Sequence, residues 1–410
     1  MYQLLSEKCE GLQPSIVEFA RRLVATPSPS LEEERVADLV EKEMRGLLFD
    51  SVSRDEAGNV IAVHFGRKGA PTVLLNCHLD TVAASEPGPG AERIETPGTV
   101  SDGWLHGPGA ADCKAGLAAQ VYAAALLKHS LLPLNGNLVV AATVAEENGL
   151  SVGIRHLLET SLPELGLHPD FAILGEPTGL NLYHGHDGWM EFDVEVDGTN
   201  PFRVEDVARE VFTHLDTASR TGRGESRAEM LSVYEPRFVT RGDGRTSVIR
   251  TACRMRGADQ EEATLERVRQ DVSLVAAQSG DVAVNVMVRQ EHQQLYTGKT
   301  CVVRRLTHAW NVEPFSPLLV RARQALAAAA SPARVGRWRL GRLGMGTAGS
   351  VLVREHNVPA VGYGPGEEDL AHTAGERVSL DRIGAAAFGT AAIVHKLIGV
   401  PVYGWTSDEI

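Results

Sequence analysis

Paired cysteines, a surplus of basic charge and a long apolar run are all missing from this chain of 410 residues. Its five cysteines, Cys9, Cys77, Cys113, Cys253 and Cys301, are odd in number, scattered and never spaced as CxxC. That excludes a disulfide frame and leads us to expect reduced thiols in a cytoplasmic protein. Forty Lys and Arg stand against 53 Asp and Glu, a net charge of −13, so nothing forms a basic footprint for nucleic acid or an anionic membrane surface. No apolar stretch is long enough to span a bilayer. The opening residues, MYQLLSEKCEGLQ, lack a basic region followed by an apolar one, and we expect no signal peptide. With 43% hydrophobic residues the chain has ample material for a core. Its acidic excess reads either as plain solubility or as carboxylates gathered around a cation.

What is present is an α/β alternation. SIVEFARRLVA reads as a helix stopped by TPSPS, and Ser30 is positioned to cap a second helix, LEEERVADLVEKEMRGL. Strands follow at NVIAVHF, PTVLLNC, NLVVAATVA and DFAILGE, with the alanine-rich AGLAAQVYAAALLKH as a buried helix. Short apolar strands without alternation predict a mostly parallel sheet covered by helices on both faces. The pattern changes near residue 187. MEFDVEVDG, RVEDVAREVFTHLD, EMLSVYEPRFV, TSVIRTACRM, DQEEATLERVRQDVSLVAAQ and VAVNVMVRQ run β-α-β-β-α-β, the order of a ferredoxin-like unit. After about residue 296 the α/β pattern resumes. We therefore expect a catalytic domain over 1–186 and 296–410, with an inserted α+β lid over 187–295.

Polar residues collect at the strand ends, where open α/β sheets place their ligand sites. PTVLLN runs into His78 and Asp80; two residues apart on extended chain, they face one spot. His78 suits a metal ligand with Asp80 orienting it, although the pair also reads as a capped strand end. Asp112 ends the turn GPGAADC before a helix, where a simple N-cap is the alternative. Glu146 and Glu147 follow another strand; one can ligate while the other, its pKa raised by crowding, serves as a base, or both are solvated surface charge. Glu176 ends DFAILGE, and His372 lies in AHTAGERV. Two histidines and three ligating carboxylates match an N/O site for zinc, cobalt or manganese, and the count suits two ions sharing one carboxylate.

In this order and spacing, HLDTV at 78–82, GPGAADCKAG at 107–116, AEEN at 145–148, LGEPT at 174–178 and GPGEEDLAHTAGERV at 364–378 resemble the co-catalytic metallohydrolases that include aminoacylase, acetylornithine deacetylase, succinyl-diaminopimelate desuccinylase and glutamate carboxypeptidase. The resemblance covers essentially the whole chain. It implies that Asp112 bridges two divalent ions, that His78 and Glu176 complete one site, and that Glu147 and His372 complete the other. Glu146 would be the general base toward a metal-bridging water, and Asp80 would orient His78. The implied activity is hydrolysis of an amide or peptide-like bond in a small N-acyl amino acid or dipeptide. Zinc is the first choice of metal, with cobalt or manganese as alternatives. A small-molecule substrate is the expected partner; since the lid mediates dimerisation in the resembling family, a homodimer is the other.

Two features depart from the family, and a third is a decoy. The loop after the first lid strand, TNPFRVEDVARE, is short and has no histidine where the family carries one to stabilise the oxyanion. The alternative function is therefore a catalytically weak or inactive metal- or ligand-binding relative. His184 and His186, in NLYHGHDG, are candidate substitutes. The family's arginine for a substrate carboxylate is displaced; TACRMRGAD offers Arg254 and Arg256, which share a strand face and read equally as a solvated pair. Finally, Gly344, Gly346 and Gly349 spell GxGxxG, a fingerprint too weak alone to mean a dinucleotide site. The resembling family instead brings this loop near its substrate, making Gly346 and Thr347 candidate substrate contacts.

Overall fold

The structure is a computed structural model describing residues 2–82, 96–148, 151–221, 228–241, 244–257, 261–277, 282–339 and 346–400. Gly344, in the glycine motif, lies outside the described residues.

Helix α1 (Tyr2–Ala25) starts 13 residues before the Ser15 at which its apolar pattern begins, and runs through Pro14. Helix α2 (Glu34–Gly46) is followed by strands β1 (Ser51–Arg54), β2 (Val60–His64) and β3 (Thr72–His78). Ser30 does not cap α2; the N-cap position is Glu33, with no side-chain cap. The Ser30 hydroxyl donates instead to Asp80 Oδ2 at 2.6 Å, because Pro29 pairs with Thr81 and draws the segment beside the end of β3. Helix α3 (Lys114–His129) and strands β4 (Asn137–Thr143), β5 (Phe171–Leu174) and β6 (Leu182–Tyr183) follow. With β13 (Val335–Gly336) and β14 (Ala360–Gly362), these strands form an eight-stranded sheet in the order β1-β2-β4-β3-β5-β14-β6-β13. Its centre, β4-β3-β5-β14, is parallel. Every residue of β3 and β4 is buried, as expected of strands covered on both faces. One face packs on α1, α3, α6 (Pro317–Ala328) and α7 (Leu380–Ile398) in a single apolar cluster.

The chain from β7 (Gly188–Gly198) onward builds a second sheet. Helix α4 (Pro201–Thr221), strands β8 (Ala228–Val233), β9 (Arg237–Arg241) and β10 (Gly244–Met255), helix α5 (Glu261–Ala276) and strand β11 (Val282–Val288) follow in turn. The strands order β8-β10-β7-β11, all antiparallel, with β9 on β10 and the later β12 (Leu306–Thr307) on β7. Met190, Phe192, Val194 and Val196 face α4 and α5 in a core separate from that of the first sheet. The other face of β7 is half-exposed, so its side chains alternate. Only two residues separate β7 from α4, and neither is histidine.

Candidate metal centre

The parallel strands β3, β4 and β5 deliver their C-terminal ends to one place. His78 closes β3 and is buried; its Nδ1 lies 2.8 Å from the backbone oxygen of Asp80, to which it donates. That bond leaves Nε2 facing inward, 3.2 Å from Asp112 Oδ1 and 3.9 Å from Glu176 Oε2. The second histidine approaches from the opposite side. His372 Nε2 lies 2.8 Å from Glu147 Oε1 and 3.2 Å from Asp112 Oδ2. Asp112 thus offers one oxygen to each imidazole. The ligand atoms form two overlapping groups, His78–Asp112–Cys113–Glu176 and Asp112–Glu147–His372, each with all its atoms within 4.8 Å of one another.

Local structure explains these placements. Asp112 does not cap α3; Cys113 holds the N-cap position and the Asp112–Cys113 peptide is cis. Strand 104–106 pairs with 377–379, and the Gly107 N–H donates to the Glu376 carbonyl at 3.0 Å. The turn bearing Asp112 is therefore tied to the loop bearing His372. A Cβ on Gly116 would lie 1.8 Å from the carbonyl oxygen of Gly175, so only glycine lets α3 approach the strand end that carries Glu176. Strand β4 ends at Thr143, and Ala145 takes φ +52°, so Glu146 and Glu147 sit on a sharp turn and not on extended chain. His372 is also left-handed, at φ +58°, a conformation that costs a β-carbon residue about 1 kcal/mol or more.

Asp80 has a different set of contacts from the one its spacing suggested. Its carboxylate stands 3.7 Å from His78 Nδ1, while its backbone oxygen takes the hydrogen bond. The carboxylate accepts the N–H of Glu146 at 3.1 Å, the N–H of Glu147 at 2.9 Å and the Ser30 hydroxyl. Behind it, the buried Glu33 accepts from the N–H groups of Leu31 and Ala145, at 2.9 and 3.0 Å. On the far side Glu376 Oε1 accepts from the N–H groups of Ala111 and Asp112, at 2.9 and 3.0 Å. Sequence reasoning missed Ser30, Glu33 and Glu376 as supports. Glu376 carried a signal, being the acid four residues after His372 in the same motif; Ser30 and Glu33 looked like an ordinary helix start.

The electrostatics ask for positive charge. Burial pushes the carboxyls of Glu146, Glu147 and Glu176 up, and the neighbouring Asp112 charge raises the latter two further. Burial opposes a charge on His372, yet Asp112 and Glu147 beside it carry the imidazole up to about 11. Burial likewise works against the Asp112 carboxylate, but hydrogen bonds from His372 and His78 outweigh it and hold the group far below the usual range. Protons on the imidazoles play the part that a cation would play among so many acids. The donor set, two imidazoles and three carboxylates arranged around one shared aspartate, fits two borderline divalent ions. Burial lowers Lys114 to about 8, and its ammonium donates to the Thr26 carbonyl at 2.7 Å, bracing the turn from behind.

The remaining candidates make other contacts. Arg254 is half-buried and reaches the Arg339 carbonyl at 3.5 Å, whereas Arg256 lies just past the end of β10 and is exposed. Both polar groups of Thr347 engage His186: its N–H donates to Nε2 at 3.0 Å, and its hydroxyl lies 3.0 Å from the same atom. The other His186 nitrogen meets the Asp187 carbonyl at 2.7 Å, and His184 Nδ1 meets Val312 O at 2.8 Å. His186 therefore has no ring nitrogen left for an oxyanion. Gly346 packs on Thr307, where a Cβ would lie 2.4 Å from Cγ2.

Comparison with known proteins agrees with this geometry. The model of peptidase family M20/M25/M40 matches residues 74–396. The Escherichia coli K12 protein YgeY, described as uncharacterized, is 27% identical over 416 residues, covering 96% of each chain. A Corynebacterium glutamicum succinyl-diaminopimelate desuccinylase is 34% identical over 181 residues, 44% of this chain and 46% of that one. Among solved structures, Bacillus subtilis YXEP, described as a dinuclear metal binding peptidase from the M20 family, superposes with a TM-score of 0.66 at 16% identity, covering 94% of this chain and 98% of that one. The family model spans well over half of the sequence, so this chain belongs to peptidase family M20/M25/M40 and is a metallohydrolase of amide bonds.

Proposed function

We propose that this protein hydrolyses an amide or peptide-like bond in a small N-acyl amino acid or dipeptide. The observation that carries the reading is Asp112, shared between two buried donor groups, with Glu146 beside one of their ligands in sequence. His78, Asp112 and Glu176 would hold one ion and Asp112, Glu147 and His372 the other, with zinc first and cobalt or manganese as alternatives. Such a pair supplies polarisation of the scissile carbonyl and acidification of water near neutral pH. Glu146 takes the proton of the attacking water at its carboxylate and returns it to the leaving nitrogen. A raised affinity for protons, from burial among other acids, suits that carboxylate to both steps. Asp80 holds Glu146 and Glu147 through their backbone N–H groups, and its carbonyl fixes the His78 tautomer. Arg254 and Arg256 are the candidates for a substrate carboxylate, and Gly346 and Thr347 are candidate substrate contacts on their loop, with the Thr347 N–H and hydroxyl turned to His186.

We read residues 187–295 as a lid over a catalytic unit formed by 1–186 and 296–410, supported by the separate sheet and core of the inserted segment. A cytoplasmic setting is supported by five free cysteines. No helix among the described residues is long and apolar enough to cross a membrane. The test is chelation followed by zinc or cobalt, across a panel of N-acyl amino acids and dipeptides. Activity should vanish and return, and Glu146→Ala should lose about a hundred- to ten-thousandfold in turnover while still binding metal. A Glu146→Ala protein with wild-type turnover would sink the mechanism. The second reading, a weak or inactive relative, is favoured by the two-residue, histidine-free link between β7 and α4. Two bound ions with no turnover across the panel would select it.

A further inference from the structure

The turn that carries Glu146 and Glu147 is gripped from the lid side as well as from Asp80. Arg305 stands where the chain leaves the lid sheet: its carbonyl accepts the Glu191 N–H at 2.9 Å, and its N–H donates to Arg289 O at 2.8 Å. Its side chain reaches the turn that follows β4. Nη1 donates to the carbonyl oxygen of Asn148 at 2.5 Å, and Nη2 to Glu191 Oε1 at 2.8 Å. The guanidinium carbon lies 5.3 Å from the Trp189 ring centroid, and the side chain is 20% exposed. A rigid fork anchored by a carboxylate and a ring face thus holds the backbone one residue beyond Glu147. A second contact acts on the same residue: Asn148 Nδ2 donates to Gln293 Oε1 at 3.0 Å, from the ribbon 290–304.

We propose that Arg305 is a positioning residue, locking the Glu146–Glu147–Asn148 turn to the base of the lid so that Glu147 keeps its place opposite His372. The inference rests on the two-ion reading above. Asp80 fixes the N–H side of the turn, and Arg305 fixes the carbonyl at its far end. Without Arg305 the far end of the turn keeps only the side-chain bond from Asn148 to Gln293, and the pocket shared by Asp112, Glu147 and His372 loosens. The pocket of His78, Asp112 and Glu176 does not depend on this turn.

Cobalt(II) titration of the metal-free full chain, followed by visible absorption, tests the proposal with thermal melting as the folding control. The wild type should take up two equivalents. Arg305→Met should weaken one of them by about tenfold or more and leave the other unchanged, with Arg305→Lys recovering part of the loss. Arg289→Met removes a different hydrogen bond to Glu191 and leaves the Asn148 contact, so it should titrate like the wild type. Equal weakening in Arg289→Met and Arg305→Met would overturn the assignment in favour of a general lid effect. A folded Arg305→Met with two wild-type affinities would overturn it directly. If Arg305→Met does not fold, Gln293→Ala carries the test, and an unchanged pair of affinities there overturns the proposal. A wild type that binds fewer than two equivalents defeats the two-ion reading instead, so the two failures are distinguishable.

Discussion

The two sheets of this molecule bury very different things. At the ends of β3, β4 and β5, histidines and carboxylates are packed out of water around one aspartate. In the antiparallel sheet, the inward face of β7 is Met190, Phe192, Val194 and Val196, and its charged residues face outward into pairs such as Glu191 with Arg289 and Arg305. The first region accepts electrostatic cost to build a site; the second follows the ordinary rule of apolar in and charged out. The difference teaches that the antiparallel sheet is stabilised by its own core, whereas the cleft depends on hydrogen bonds from distant segments and on the charge that fills it.

The sharpest way to break this contrast is to damage the core of the antiparallel sheet and ask whether the cleft responds. Phe192→Ala should destabilise the protein by about 3–5 kcal/mol in chemical denaturation, yet leave two cobalt equivalents bound under native conditions. Loss of both equivalents without global unfolding would mean the regions are not separable. A smaller effect probes the cleft's supports. Glu376→Ala, which frees the N–H groups of Ala111 and Asp112, should weaken cobalt binding by about ten- to a hundredfold. Glu376→Gln should restore most of it, since one amide oxygen can accept both bonds; equal losses in the two variants would show that the acid's charge matters more than its hydrogen bonds.

The smallest effect separates buried titratable groups outside the cleft from those within it. His64, on β2, stacks on Phe49 with ring centroids 4.4 Å apart, and burial lowers its pKa to about 4. Asp50 lies 3.6 Å away but is itself paired with Lys128. The folded state holds His64 neutral while the unfolded chain takes up a proton near pH 6.5, so its contribution is complete above that value and falls away toward pH 4. Between pH 7 and pH 5 the loss from this residue is about 2 kcal/mol, and His64→Leu should remove that part of the pH dependence in denaturant melts. An unchanged pH dependence would show that His64 is not titrating as its surroundings require.

The strand ends were readable because each carries its chemistry within a few residues of an apolar run, as in PTVLLNCHLD and DFAILGE. Ser30 was misread for the complementary reason. A serine before an acidic helical stretch satisfies every local rule for a cap, and only the pairing of Pro29 with Thr81 sends it to Asp80. Asp80 does lie beside His78, but its carboxylate bonds to a turn 66 and 67 residues further on, a relation that no periodicity encodes.

By itself the sequence determined which side chains could ligate a metal, which strands had to be covered on both faces, and that the middle of the chain follows another pattern. These are local properties of composition and spacing, expressed wherever the chain goes. Tertiary structure decided the rest. It gave each imidazole one oxygen of Asp112, set Glu376 on the N–H groups of the Asp112 turn, fixed His186 on Thr347, and brought the Arg305 guanidinium to the carbonyl of Asn148. These are contacts between residues far apart in the chain. They follow from how two sheets and their loops pack, because only then do buried polar groups find the partners that burial obliges them to have.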